Sequence, residues 1–294
     1  MSRARQCPSC GATVDLPPEQ IAAVCAFCES PLVDAEGAGE TVDHVVPFVV
    51  DRDRAGRRLR GYLQGRWLAP EAVRRGARPE KLHGVLVPFY VFDGIAASEF
   101  DARVGVHWWR TVYTGKRVRR VRETEWFPLS GSHAATYTRQ LVSGSRGLPE
   151  AEANALEPFD MGKALPFSPP LTAGWIAERP SVDHDEAQRI VAREVAEREN
   201  AAIRGGFLAG DEVADVHNTT RLAIERVDLA LLPVWIATYG HGGKVFRLLV
   251  NGQTGETVGK VPTSPVKVGC LVALLLAAVA AMALLALIVE AVSR

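Results

Sequence analysis

One run of residues narrows what this chain can be more than any other. Residues 268–289, VGCLVALLLAAVAAMALLALIV, contain no charge over 22 positions. As a helix they extend about 33 Å, enough to cross a hydrocarbon core of about 30 Å. The run is apolar on every side, whereas a helix in a soluble core keeps a polar stripe. It predicts a single transmembrane helix. Only five residues follow it, so it reads as a C-terminal anchor. Lys260 and Lys267 precede it, and the first residues are charged with no apolar stretch behind them. Both facts predict a single-pass protein of the cell membrane with a cytoplasmic body and no signal peptide. Cys270, at the membrane edge, reads as a small apolar residue rather than an acylation site.

The other four cysteines are Cys7, Cys10, Cys25 and Cys28, in two Cys-x-x-Cys steps. Such steps bring four thiolates around one Zn²⁺ in a tetrahedron, and they suit a reducing compartment better than a disulfide framework. Pro8 pre-sets φ after the first cysteine, and Gly11 supplies the positive φ that finishes the turn. Residues 12–16 read as a short strand, 17–18 as a turn and 21–25 as the return. The prediction is a structural zinc ribbon over residues 1–33, closed by four thiolates and therefore not catalytic. A piece this small buries little core, so the metal supplies most of its folding energy. Residues 34–43, small and acidic, read as a linker.

The body, residues 44–262, is predicted to be α+β with a loosely repeated helix–strand–hairpin unit, over 44–127 and 165–262. Helices are expected over 51–68, with Asp51 or Asp53 as N-cap and Leu59, Leu63 and Trp67 on one face, and over 183–204. In the second, Asp183 and Glu186 suit a capping box, Gly205-Gly206 the end, and Ile190, Val191, Val195 and Ile203 the apolar side. Each helix precedes an apolar strand, 84–92 or 229–239, with a shared [VL]-P-[FV]-[YW] core around Pro88 and Pro233. Proline inside a strand marks an edge or a bulge. Alternation over 98–106 and 118–126 predicts hairpins, and Asn251-Gly252 predicts a tight turn. Helices beside antiparallel hairpins mean α+β.

The balance of 34 basic and 34 acidic residues argues against a dedicated nucleic-acid binder. No phosphate-loop pattern, HExxH or GxSxG occurs, so no catalytic residue is assigned. The Tyr239–Lys244 stretch, with His241 among glycines, reads as a turn rather than an anion nest. His217 with Asp211, Glu212 and Asp215 reads as a solvated loop, and residues 183–186 as a helix start. Two basic clusters stand out. Arg52, Arg54, Arg57, Arg58, Arg60, Arg66, Arg74, Arg75, Arg78 and Lys81 give residues 51–81 ten basic against four acidic side chains. Lys116, Arg117, Arg119, Arg120 and Arg122 form the second, near Trp108, Trp109 and Tyr113. A solvated face, contact with an anionic leaflet and contact with nucleic acid are three readings of them.

The run LLPVWIATYG…GKVFRLLVNGQTGETVGKVPTSPVK, the LHGVLVPFYVFDG segment and the CPSCG…CAFC head resemble the bacterial TFIIB-type zinc-ribbon membrane proteins. The resemblance covers nearly the whole chain, except for residues 128–170. It implies architecture rather than activity. Together these readings lead to an expected function: a membrane-tethered cytoplasmic adaptor or scaffold whose ribbon binds a protein partner, without catalysis. The alternative is a membrane-associated nucleic-acid-binding protein.

Overall fold

A computed structural model describes residues 3–7, 9–16, 20–25, 28, 30–33, 42–76, 82–115 and 117–292. Its strands are β1 (Arg3–Gln6), β2 (Thr13–Leu16), β3 (Gln20–Val24), β4 (Pro31–Val33), β5 (His44–Val45), β6 (Leu82–Thr114), β7 (Arg117–Ser143), β8 (Leu165–Pro166), β9 (Ile176–Glu178), β10 (Glu212–His241), β11 (Lys244–Asn251) and β12 (Thr257–Gly259). Its helices are α1 (Arg52–Gly65), α2 (Glu71–Gly76), α3 (Glu150–Leu156), α4 (His184–Gly206) and α5 (Pro265–Val292). The chain is thus α+β and built on a large, mainly antiparallel sheet. It divides into two compact units. The first holds residues 1–46, 87–154 and 161–232, and the second 47–86, 155–160 and 233–294.

In the first unit β6 and β7 pair from Phe89↔Ser143 to Thr114↔Arg117. The separate hairpins expected over 98–106 and 118–126 are therefore one long hairpin. The pairing continues past a register shift between Phe92 and Gly94, and the hairpin reverses at Gly115, with φ +62°. Helix α4 lies against this hairpin. Its N-cap Asp183 accepts from the Glu186 N–H at 2.7 Å. The reciprocal half of the capping box is missing, because the Glu186 carboxylate turns to Arg146 at 2.5 Å. The helix buries Ala187, Val191, Val195 and Ile203, and Ile203 packs with Phe100, Ala102, Val104 and Leu208. Truncating a side chain as enclosed as Ile203 costs about 2–5 kcal/mol. Ile190 lies at the border of that face, and Gly205-Gly206 belong to the helix, which is capped by Phe207. The parallel pair β5–β10 closes over Asp43, whose N–H reaches Leu229 O at 2.8 Å. The expected linker lies outside the described residues as far as residue 41.

In the second unit α1 is capped by Asp51, which accepts from the Arg54 N–H at 2.7 Å. It buries Ala55, Leu59 and Leu63 and packs on β11 and β12, where Leu248, Leu249 and Val250 are buried. Trp67 does not continue that face. The helix ends at Gly65, Arg66 leaves it at φ −86°, ψ 71°, and Trp67 stands 56% exposed in the next turn.

The two units share one internal arrangement. In the first, the N–H groups of Ser181 and Val182 donate to Gly144 O, and the Gly144 N–H donates to Pro88 O. Tyr90, two residues past that proline, donates its hydroxyl to Val182 O at 2.9 Å. In the second, Val49 and Val50 donate to Gly252 O, and the Gly252 N–H to Pro233 O. Trp235, again two residues past the proline, donates Nε1–H to Val50 O at 2.8 Å. Val50 and Val182 each precede an N-cap aspartate, in a shared V-D-x-D-x-A sequence. Each proline sits where its return strand stops, so its missing N–H disrupts no pairing there. The glycines are required by close approach: a Cβ on Gly252 would lie 2.7 Å from Phe48 and from Pro233, and one on Gly144 3.1 Å from Pro88 O. The helix of each sequence half thus docks on the hairpin of the other half.

Asn251-Gly252 is not a two-residue hairpin turn. The Asn251 N–H bonds Glu256 O and the Gly255 N–H bonds Asn251 O, with Gly255 at φ +80°. Asn251 is fully buried. Its amide donates to Leu156 O and Pro158 O, and its carbonyl accepts from Gln253 and Thr254. The two-residue turn is instead Gly242-Gly243, both at positive φ, between His241 and Lys244. The Tyr239–Lys244 stretch is thus the end of the β10–β11 hairpin, with its turn at Gly242-Gly243.

Helix α5 is 28 residues long. Its Pro265–Ala283 stretch has a mean hydropathy of 2.4 and none of it is buried, unlike a core helix. It is long and apolar enough to cross a membrane.

Candidate metal centre

Two short hairpins build the N-terminal site. β1 pairs with β2, and β3 with β4, both antiparallel. Cys7 and Cys25 follow β1 and β3. The Gly11 N–H donates to Cys7 O, the Cys7 N–H to Ala12 O and the Cys25 N–H to Ser30 O, so each cysteine step is a backbone-bonded knuckle. Gly11 has φ +74°, as the first knuckle requires. Cys7 and Cys25 are buried with Leu32, and Val14 packs beside them. Cys10 and Cys28 face solvent. This core is very small, which is the reason to look for a metal.

The four Sγ atoms lie within 4.8 Å of one another. Cys7 and Cys28 are 3.6 Å apart at sulfur, and Cys10 and Cys25 are 3.9 Å apart. Four sulfurs at about 2.3 Å from a tetrahedral Zn²⁺ would be about 3.8 Å from one another. The residues fit such an ion, and none of the four is in a disulfide.

Two of the sulfurs, Cys28 and Cys10, are displaced in opposite directions. Cys28 Sγ lies 3.3 Å from Ser30 Oγ, and the hydroxyl and backbone of Ser30 pull its pKa down to about 6. At Cys10 the Ala12 backbone bond favours the thiolate, but the crowded sulfurs of Cys28, Cys7 and Cys25, with burial, push the pKa up to about 12. One thiolate is readily accommodated; ionising all four calls for a cation among them. With every sulfur engaged, no coordination position is left for a substrate.

The ribbon is hydrogen-bonded to the rest of its unit. β3 pairs with β9 through Gln20↔Glu178 and Ala22↔Ala177, and Arg179 Nε donates to Gln20 O at 3.3 Å.

The other candidates resolve into structural roles. Asp211 and Glu212 bind His107, through its backbone N–H and ring respectively, each at 2.7 Å, and Asp215 pairs with Arg103 at 2.7 Å. His217 stands exposed on β10, a strand rather than a loop. Residues 183–186 form the start of α4. Of the second basic cluster, Arg117, Arg119, Arg120 and Arg122 line the end of the β6–β7 hairpin, and Lys116 lies outside the described residues. Trp109 and Tyr113 are 57% and 74% exposed there, and the Arg120 guanidinium sits 5.9 Å from the Trp109 ring. Arg78 and Lys81 of the first cluster also lie outside the described residues.

Sequence reasoning missed one buried polar cluster. Glu199, 1% exposed on the inner face of α4, accepts from His133 at 2.7 Å, Tyr137 at 2.8 Å and Ser98 at 3.0 Å. Burial raises its pKa, but the His133, Tyr137 and Ser98 bonds outweigh burial and hold it below the usual glutamate range. Tyr137 is pushed up to about 12 by burial and then by Glu199. The one signal was a glutamate on the apolar stripe of α4, at a position otherwise reserved for aliphatic residues.

No family model matches the chain, and no solved structure matches it. It is 26% identical over 226 residues to the uncharacterized protein YdjG of Bacillus subtilis (strain 168). The match covers 76% of this chain and 64% of that relative, so the chain spans less than two thirds of its length.

Proposed function

We propose that this chain is a membrane-tethered zinc-ribbon adaptor of the TFIIB-type membrane family. It is anchored in the cell membrane by α5, its body is cytoplasmic, and its ribbon presents a macromolecular docking surface without catalysis. The observation that carries the reading is the geometry of Cys7, Cys10, Cys25 and Cys28, a set that four-coordinate zinc would close completely. An exposed helix whose residues 268–289 carry no charge supports the tether. Within its own unit the ribbon is tied to the body through β3 and β9.

The test combines metal analysis of the full chain with photo-crosslinking in cells from a reporter amino acid at the exposed position 24. One zinc per chain is expected, with a discrete crosslinked partner that disappears in Cys7→Ser/Cys25→Ser. Absence of zinc, or crosslinks identical in that variant, refutes the adaptor.

A second reading, nucleic-acid binding, is favoured by one observation. Trp109, Tyr113, Arg120 and Arg122 share a face of the β6–β7 hairpin, through the pairs Trp109↔Arg122, Thr111↔Arg120 and Tyr113↔Val118. Salt-steep binding of single-stranded DNA or RNA, lost in Arg120→Glu/Arg122→Glu, would establish it.

A further inference from the structure

Four arginines of α1, Arg54, Arg57, Arg58 and Arg60, differ from the ion-paired arginines of the chain. Arg103, Arg110, Arg146, Arg193 and Arg226 each meet a carboxylate within 2.8 Å, and Arg75 meets Glu71. Among the described residues, none pairs with Arg54, Arg57, Arg58 or Arg60. Three of these, Arg54, Arg57 and Arg58, line an open groove of about 640 Å³ together with Tyr62, Thr257 and one carboxylate, Glu256. The groove carries a net +2, from three guanidinium groups and one carboxylate. Its shape is held from below: a Cβ on Gly255 would lie 3.2 Å from Arg58 Nε, so the arginine rests directly on that turn.

The same unit ties this helix to the start of the apolar one. Lys267, in the first turn of α5, donates to Trp67 O and Ala69 O at 2.8 Å each. The Ser264 N–H donates to Leu68 O at 2.8 Å, and the Tyr62 hydroxyl donates to Gly259 O at 2.8 Å. The loop leaving α1 and the first turn of α5 therefore form one hydrogen-bonded junction. At that junction Trp67 and Val266 are 56% and 74% exposed, as interfacial anchors are. A 14-residue helix is about 21 Å long, so the whole arginine face stays within a short distance of the point where α5 would enter the bilayer.

We propose that the Arg54, Arg57 and Arg58 face of α1 seats on the phosphate headgroups of anionic lipids around the first turn of α5. This rests on the reading of α5 as a membrane anchor. A guanidinium presents a planar fork of donors that matches phosphate oxygens, and unpaired arginines need shed no carboxylate to engage one. Glu256 faces the groove and favours a singly charged headgroup flanked by its glycerol hydroxyls.

The test uses the full chain. Flotation with liposomes first establishes whether the anchor reading holds. Native mass spectrometry from neutral detergent then compares retention of phosphatidylglycerol and phosphatidylcholine. Wild type is expected to prefer phosphatidylglycerol about tenfold. Arg57→Glu/Arg58→Glu is expected to abolish that preference, and Arg57→Gln/Arg58→Gln to reduce it. Arg119→Glu/Arg120→Glu, at the turn end of the β6–β7 hairpin and outside the groove's lining, is expected to leave it intact. These arginines are exposed, so unchanged thermal melts identify folded variants.

A floating chain with no lipid preference, or equal loss in both charge-reversal variants, overturns the proposal and leaves the anchor standing. Displacement of the lipid by millimolar inorganic phosphate alone assigns the groove to free phosphate and likewise overturns it. A folded chain that does not float fails the anchor reading and the proposal with it.

Discussion

Replacing Glu199 with glutamine changes one oxygen to an amide nitrogen inside the first unit. The carboxylate receives three donors on two oxygens: His133 and Ser98 on Oε2, Tyr137 on Oε1. A glutamine offers one acceptor oxygen and turns an NH₂ toward donors. His133 can adapt by moving its ring proton, but a hydroxyl on the same side cannot find another acceptor as readily. Ser98 retains Thr220 at 2.9 Å, so the loss falls mainly on Tyr137 or His133. Hydrogen bonds to a charged group contribute about 1.5–3 kcal/mol each, and relief from burying the charge offsets part of that loss. The expected net cost is about 1–2 kcal/mol, or roughly 2–8 °C in the melting midpoint.

The pH dependence is the sharper readout. The folded pKa of Glu199 lies below its ordinary value, so its contribution is present above about pH 4.3 and is lost as pH falls through the folded value. Thermal unfolding of the full chain in neutral detergent, followed by circular dichroism from pH 7 to pH 3, measures both. Wild type should fall toward the variant on acidification, while Glu199→Gln should lack that component. A variant that melts within 1 °C of wild type at pH 7, or that shares its acid slope, refutes the reasoning.

Chelation of zinc, or Cys25→Ser, should abolish amide protection in β1 to β4 while α4 stays protected, measured by hydrogen exchange; uniform loss would contradict a metal-dependent ribbon. Tyr90→Phe and Trp235→Phe should cost about 1–2 kcal/mol each in denaturant unfolding, because each removes one bond to the carbonyl before a helix cap. Their double variant should be additive within about 0.5 kcal/mol, since Tyr90 and Trp235 donate to different carbonyls, Val182 O and Val50 O. Asn251→Ala should destabilise by about 3–5 kcal/mol, because two carbonyls and two N–H groups lose their partner at a fully buried site. Asn251→Asp should not rescue it, as a carboxylate cannot donate to Leu156 O and Pro158 O.

Local chemistry was legible wherever neighbours in sequence supply the partner. The cysteine steps, the N-caps at Asp51 and Asp183 and the uncharged length of α5 all depend on residues a few positions apart. The apolar faces of α1 and α4 were also readable, because helical periodicity is a property of the segment. What remained hidden depends on contacts between residues far apart in sequence, such as Tyr90 with Val182 and Trp235 with Val50. Alternation over 98–106 and 118–126 has the same period in one long hairpin as in several short ones, so only the backbone path showed a single turn at Gly115. Asn251-Gly252 carries the dipeptide of a tight turn, yet burial of Asn251 under residues 156–158 selected a wider loop. Val50-Asp51 and Val182-Asp183 are recognisable as repeats, but nothing in either copy says that its helix docks on the other copy's strands. Only tertiary packing decided that exchange. The carbonyls of Val50 and Val182 find their donors on Trp235 and Tyr90, and an aromatic donor two residues past a strand proline has no sequence-local reason to prefer either.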